Sequence, residues 1–160
     1  MFKNKEELFK ILKFQYKYIF PTPQIYWPKI YKRFGNKVWV KHENHTIIGS
    51  FKIRSSLNQI KNESKLNSVF CCASNGNYGQ GIAFACNSLN KTSIIFCPTK
   101  TSKNKINSII SLGGKVKLEG KDFTETYEIT QDYAKKNNYK LLQSYNTSLV
   151  KGCATYSYEL

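Results

Sequence analysis

From Ser68 onward the chain alternates short apolar runs with longer amphipathic stretches. "SVFCCAS" (68–74), "TSIIFCP" (92–98), "KVKLEG" (115–120) and "YKLLQS" (139–144) read as four strands. The stretches between them read as helices. The first runs from the "NGNYGQ" turn to about Leu89. The second is capped by Ser102 and stopped at Gly113-Gly114, because glycine takes the left-handed conformation that ends a helix without steric cost. The third has Asp122 as N-cap and Glu125 three residues on, a capping-box spacing. A last helical stretch starts near Leu149. Strands alternating with helices of this length call for crossover connections and a parallel sheet. The expected fold class is α/β, with an open parallel sheet over roughly 68–143 and helices flanking it in three layers.

The N-terminal part is less regular. Residues 5–19 carry Leu8, Ile11, Leu12 and Ile19 on one side, the pattern of an amphipathic helix. The prolines of "PTPQIYWP" (21–28) argue against regular helix and for an extended surface segment. "VWVKHE" (38–43) alternates like a strand. In "HTIIGSFKIRSSL" (45–57) a strand end turns into a helix, with Ser50 placed as N-cap for a helix beginning near Phe51.

Composition refines this picture without changing it. An apolar fraction of 41% over 160 residues is that of one folded domain. The net charge of +15 raises nucleic acid or an anionic surface as partner. Only Arg33 and Arg54 among the 25 basic residues are arginine, however, and base and phosphate recognition favours the arginine fork. A basic nucleic-acid-binding module is therefore the weaker reading. No run of 18 apolar residues exists, so no membrane span is expected, and the N-terminus lacks the pattern of a signal peptide. The five cysteines are odd in number, form no CxxC and sit mostly in apolar runs. They read as small core residues in a reducing, cytoplasmic setting, not as a disulfide framework or zinc site. His42 and His45 lack further ligands nearby in sequence and read as structural, so no metal is expected.

Two places carry candidate chemistry. An open parallel sheet binds ligands at the carboxyl ends of its strands. There, after the first of the four strands, lies Ser74-Asn75-Gly76-Asn77-Tyr78-Gly79-Gln80-Gly81, a Gly- and Asn-rich loop entering a helix. Its N–H groups and the helix N-terminus suit an anion, although Gly and Asn are also what an ordinary tight turn needs. The loop matches neither GxGxxG nor GxxxxGK[ST], which argues against a dinucleotide or a nucleoside triphosphate. The other place is Lys52, behind Gly49-Ser50-Phe51 at a helix start.

With their surroundings, these two features resemble the threonine/serine dehydratase group of fold-type-II pyridoxal-phosphate-dependent enzymes, in the tryptophan synthase beta-like superfamily. "TPQIYWP" resembles the family's N-terminal lead-in, and "VWVKHENHTIIGSFKIRSSL" its lysine motif. "ASNGNYGQGIAFA" resembles its S-x-G-N-H-x-Q loop, "IIFCPTKTSKNKINSIISLGGKVKLEG" the strand-proline-helix-strand that follows, and "LVKGCATYSYEL" its G-x-x-T-x-x-x-E-L helix start. The resemblance implies pyridoxal 5'-phosphate as cofactor and Lys52 as the lysine that forms its Schiff base and later takes the substrate Cα proton. It also implies Phe51 against one face of the cofactor ring, and Asn77 on its phenolic oxygen. Ser74, Asn75, Gly76, Asn77 and Tyr78 would bind the carboxylate of a small β-hydroxy amino acid, and Arg54 would support structure. The implied reaction is that of an ammonia-lyase: α,β-elimination to a 2-keto acid and ammonia.

The departures are that Tyr78 stands in place of the usual histidine, Ser55 in place of a glycine, and Asn75 where serine racemases carry a serine, which disfavours racemisation. The family is about twice as long as this chain, so the resemblance implies an N-terminal half only, truncated before the loop that grips the cofactor phosphate. The implied division is an arm and the start of the large cofactor domain at 1–53, a smaller α/β domain at 54–148, and the cut-short remainder of the large domain at 149–160. A homodimer, a complementing C-terminal half, one half of a split enzyme and an inactive remnant all stay open.

Overall fold

A computed structural model describes residues 2–63 and 69–160. The N-terminal part consists of α1 (Lys5–Gln15), β1 (Gln24–Tyr26), α2 (Pro28–Phe34), β2 (Trp39–Lys41) and α3 (Lys52–Glu63). β1 and β2 pair antiparallel as a sheet of their own. Next come β3 (Val69–Ala73), α4 (Asn77–Ser88), β4 (Thr92–Cys97), α5 (Lys103–Ser111), β5 (Lys115–Leu118), α6 (Phe123–Lys136) and β6 (Lys140–Leu141). α7 (Thr147–Ala154) and a 3-10 turn (Thr155–Glu159) follow. All four strands expected after residue 67 are present and run parallel. The expected sheet start at Ser68 lies outside the described residues.

The strand order is β5-β4-β3-β6. From β3 the chain steps outward to β4 and β5, then returns through α6 to the opposite side of β3. The winding direction thus reverses at β3, and in open α/β sheets that reversal opens a crevice beyond the carboxyl ends of the strands. β3 and the Ile94–Cys97 part of β4 are apolar throughout because both faces are covered. Phe70, Cys72, Ile95 and Cys97 pack with Ile82, Ala83, Cys86 and Ile109 of α4 and α5. Cys71, Ile94 and Phe96 pack with Ala134 of α6 on the other face.

Two details depart from expectation. The segment at 21–27 is extended, but Pro28 opens a helix, α2. Its ring fixes φ near the helical value, and the N–H it lacks would have no intrahelical partner at that position. Ser102 occupies the N-cap of α5 without a side-chain hydrogen bond. Asp122, by contrast, accepts from Glu125 N at 3.0 Å, and Glu125 accepts in return from Lys121 N at 2.8 Å. At the ends of the chain, buried Gln15 holds three elements together. Its amide donates to the carbonyls of Arg54 and Gly152, both at 2.9 Å, and accepts from the Thr155 hydroxyl at 2.7 Å.

Candidate functional site

Lys52 is the first residue of α3, and the turn before it explains the Gly-Ser pair. Gly49 has φ +65°, a left-handed value open to glycine at no steric cost. The Thr46 hydroxyl accepts from Ser50 N at 2.9 Å and donates to Ser50 O at 3.0 Å, closing the turn. The Ser50 hydroxyl accepts from Lys52 N at 3.3 Å, two residues on. Lys52 is half-buried, and its ammonium lies 5.1 Å from the Phe51 ring centroid. Phe51 borders a cavity of about 300 Å³, shared with Lys41, Glu43, Cys153 and Tyr156.

Beneath this turn lies a buried charge network. The Arg54 side chain is fully buried and forks onto two carboxylates. It reaches Glu43 at 2.8 and 3.0 Å and Glu159 at 2.6 and 2.9 Å. Lys41 donates to Glu159 and to the Thr22 carbonyl, each at 2.6 Å. Tyr16 donates to Glu159 at 2.9 Å and Thr22 to Glu43 at 2.6 Å. Two cations face two carboxylates, so the cluster is neutral overall. Burial works to raise the Glu159 carboxyl, but Arg54 and Lys41 outweigh it and hold it below the ordinary value. Burial and the hydrogen bond to that carboxylate push the Tyr16 phenol up to about 12. Arg54 has the structural setting expected of it. Glu43 and Glu159 were not singled out in the sequence. The signal was an arginine where the chain otherwise uses lysine, since a bidentate fork is what lysine cannot supply.

The Gly- and Asn-rich loop leaves β3 at the winding reversal and enters α4. Ser74 anchors it. Its hydroxyl accepts from Gly79 N at 2.9 Å and from Gly76 N at 3.4 Å, while its carbonyl accepts from the Cys97 thiol at 3.0 Å. Asn75 and Asn77 are exposed and Gly76 half-buried. Asn77 and Tyr78 open α4, so their N–H groups have no intrahelical acceptor. One turn along, Gly81 rests on α3: a Cβ there would come within 3.2 Å of the Lys52 carbonyl and also meet the Ser56 hydroxyl. Asn77 and Gly81 are four residues apart and share a helix face. The start of α3 and the first two turns of α4 are therefore neighbours, with Lys52 on one and Asn77 on the other. The Tyr78 side chain turns inward, and its hydroxyl lies 3.0 Å from two acceptors, Gln59 Oε1 and the Gln143 carbonyl, which share its one proton. Burial pushes its phenol well above the ordinary range. Tyr78 offers its backbone to the loop and its side chain to the packing.

The other residues weighed in the sequence sit apart from this chemistry. Cys71, Cys72, Cys86 and Cys97 are free and buried. Burial lifts the Cys71 and Cys97 thiols to about 11 and Cys86 to about 12, which keeps them protonated. Cys153 is half-buried; burial raises it against the opposing pull of Ser55 and Lys52. His42 accepts from Trp27 Nε1 at 3.4 Å and lies against the His45 ring. No helix among the described residues is long and apolar enough to cross a membrane.

Comparison with known proteins gives a consistent result. The model of the family described as pyridoxal-phosphate dependent enzyme matches residues 16–160. A biosynthetic L-threonine dehydratase of Lactococcus lactis is 27% identical, over 99% of this chain and 39% of that protein. The chloroplastic biosynthetic threonine dehydratase 2 of Solanum lycopersicum is 33% identical, over 82% of this chain and 23% of that one. In structure, the processed form of threonine deaminase isoform 2 from Solanum lycopersicum superposes with a TM-score of 0.87 at 30% identity, covering 98% of this chain and 45% of its own. The chain thus spans about half the length of the solved structures it matches, and 20–39% of the curated relatives.

Proposed function

The chain belongs to the pyridoxal-phosphate dependent enzyme family, and from that premise we propose that it carries the lysine half of an ammonia-lyase site acting on a small β-hydroxy amino acid. One observation carries the reading: α4 packs against the start of α3, Gly81 of its second turn lying against the Lys52 carbonyl, at the winding reversal of the sheet. The donor set fits the aldehyde and ring of the cofactor. It offers a half-buried primary amine, an aromatic face at Phe51, an exposed carboxamide at Asn77, and open space at Gly76, where an added Cβ would meet nothing within 4 Å. Its phosphate is assigned to no residue here.

The cofactor, when bound, supplies an electron sink for the bonds at the substrate Cα. The residues of this chain do the rest. Lys52 is the amine that would carry the cofactor covalently. Released from it, the same amine would take the Cα proton, for which it must be neutral. Phe51 would cover one side of the ring, and Asn77 would donate to its oxygen. The N–H groups of Asn77 and Tyr78, with Asn75 and Gly76 in the loop, would hold the substrate carboxylate at the positive end of α4. Ser74 accepts from two N–H groups and keeps its own proton to donate to that carboxylate. The β-hydroxyl would leave as water with the proton that Lys52 has taken from Cα, and hydrolysis would yield a 2-keto acid and ammonia.

The relatives are longer than this chain, and the proposed site leaves the cofactor phosphate to the length they have beyond the match. The test is covalent labelling. Pyridoxal phosphate followed by borohydride should mark Lys52 above every other lysine, as read by peptide mapping, and Lys52→Ala should lose that mark. Equal labelling of many lysines would remove Lys52 from the role. The chain alone should give little or no 2-keto acid from threonine or serine, since the phosphate hydrogen bonds it lacks are worth about 1.5–3 kcal/mol each. Full turnover by the chain alone would refute that assignment of the phosphate.

A further inference from the structure

We infer that Tyr78 is a positioning residue: its hydroxyl ties the start of α4 to α3, and so sets where Asn77 and the free N–H groups of α4 stand relative to Lys52. This deepens the proposed function and rests on its placing Lys52 and the Gly- and Asn-rich loop in one site. Three observations lead to it.

The first is what the start of α4 lacks. Gly76 occupies the N-cap, so no side chain caps the helix from that position. The Ser74 hydroxyl holds Gly76 N and Gly79 N, and this tethers the loop to the end of β3. Toward α3, Gly81 lets the two helices come close, but it has no side chain with which to fix their register.

The second is what the Tyr78 hydroxyl joins. It lies 3.0 Å from Gln59 Oε1 and 3.0 Å from the Gln143 carbonyl. Gln59 Nε2 donates to the same carbonyl at 3.0 Å. Gln59 Oε1 has no other donor among the described residues, and Gln59 is fully buried. A buried acceptor left without a donor is costly, so the phenol proton has a defined place to go. Gln59 stands seven residues after Lys52, two turns along the same face of α3. Gln143 stands just past β6, which pairs parallel with β3. One hydroxyl thus meets three segments around the carboxyl end of β3: α3, α4 and the chain leaving β6.

The third is the chemistry of the group. Tyrosine stands here where the family resembled carries histidine. Burial holds the phenol well above its ordinary range, so it keeps its proton at any neutral pH. An imidazole would change charge there. The titratable groups that face position 78 are Cys72 of β3, Cys86 of α4 and Glu63 of α3. Glu63 is already paired with Lys140 at 3.0 Å, and both partners of the hydroxyl are neutral.

The test uses the 160-residue chain and its Tyr78→Phe, Tyr78→His and Asp122→Ala variants. Lys52 is marked with pyridoxal phosphate and borohydride between about pH 5.5 and 8.5, and the mark is read by peptide mapping. Amide hydrogen exchange over residues 75–81 is followed by mass spectrometry. Tyr78→Phe keeps the ring and removes the O–H. Exchange over 75–81 should quicken roughly tenfold while β3 and β4 stay as in the parent. The Lys52 mark should fall at least about threefold, by the same factor at every pH. With Tyr78→His the mark should fall further as pH drops through the histidine range, because burial disfavours an imidazolium there. Asp122→Ala loses the cap of α6, on the other face of the sheet. It should lower thermal stability and leave both readouts at the parent level. Parent-level exchange in Tyr78→Phe overturns the inference. So does an equal fall of the mark in Asp122→Ala, which would make the effect one of stability, and so does a Tyr78→His profile without the acid step. Fast exchange with an unchanged Lys52 mark refutes the positioning role and leaves the proposed function standing. If the parent itself leaves Lys52 unmarked, the proposed function fails, and exchange alone decides whether Tyr78 holds the start of α4.

Discussion

Arg54 shows how much one side chain can decide here. It is buried without exposure, two residues after Lys52, and its charge is met by Glu43 and Glu159. Those carboxylates come from the strand–turn before α3 and from the 3-10 turn after α7, so the ion pairs hold together segments over a hundred residues apart. Removing one partner of a buried pair leaves an uncompensated charge, which costs about 3–5 kcal/mol. Glu159→Gln should lower unfolding stability by that order in a denaturant titration at pH 7. The pH dependence has a definite sign. The folded-state pKa of Glu159 lies below the ordinary 4.5. Its contribution is therefore complete above 4.5 and lost as pH falls through the lowered value. Stability of the native chain should drop over that acid range, and Glu159→Gln should flatten the drop. The turns that carry Lys52 and the Ser74–Asn77 loop were legible in the sequence as helix starts, because local turn chemistry fixes them. The sequence did not reveal Glu43 and Glu159, because their partner is set by the meeting of distant segments.

Among the elements, α3 is the hub, and glycines set how closely its neighbours approach. A Cβ on Gly152 of α7 would lie 2.6 Å from the Arg54 carbonyl, 2.7 Å from Asn58 Cβ and 3.0 Å from Ser55 Cα. Two of those three atoms are backbone and cannot swing aside, so Gly152→Ala should push α7 from α3. Overpacking of this kind costs about 1–3 kcal/mol, more than the gain of about 0.5–1 kcal/mol that alanine brings to a helix. At Gly76 a Cβ meets nothing, and φ is −151°. Thermal unfolding should therefore find Gly152→Ala clearly destabilised and Gly76→Ala close to the parent. The elements themselves were largely readable. "VFCCA" and "IIFC" are apolar at every second and every intervening position, the pattern of short strands in a sheet covered on both faces. α2 was not readable, since seven residues with an outward aromatic stripe carry no inward period to detect.

At the scale of the whole molecule, two opposed tendencies coexist. A net charge of +15 keeps copies apart, while Phe20, Phe34 and Trp39 stand 85%, 63% and 60% exposed and draw copies together. Which wins depends on screening. The Debye length is about 10 Å at 0.1 M salt and about 3 Å at 1 M, so long-range repulsion fades while burial of apolar surface, at about 25 cal/mol per Å², does not. Near 0.1 M salt at neutral pH the isolated chain should sediment as a monomer. Between about 0.5 and 1 M salt it should associate progressively. Phe34→Lys should raise the salt concentration at which association begins. Association that weakens as salt rises would mean that ion pairs between copies drive it, and the balance drawn here between charge and exposed apolar surface would be wrong.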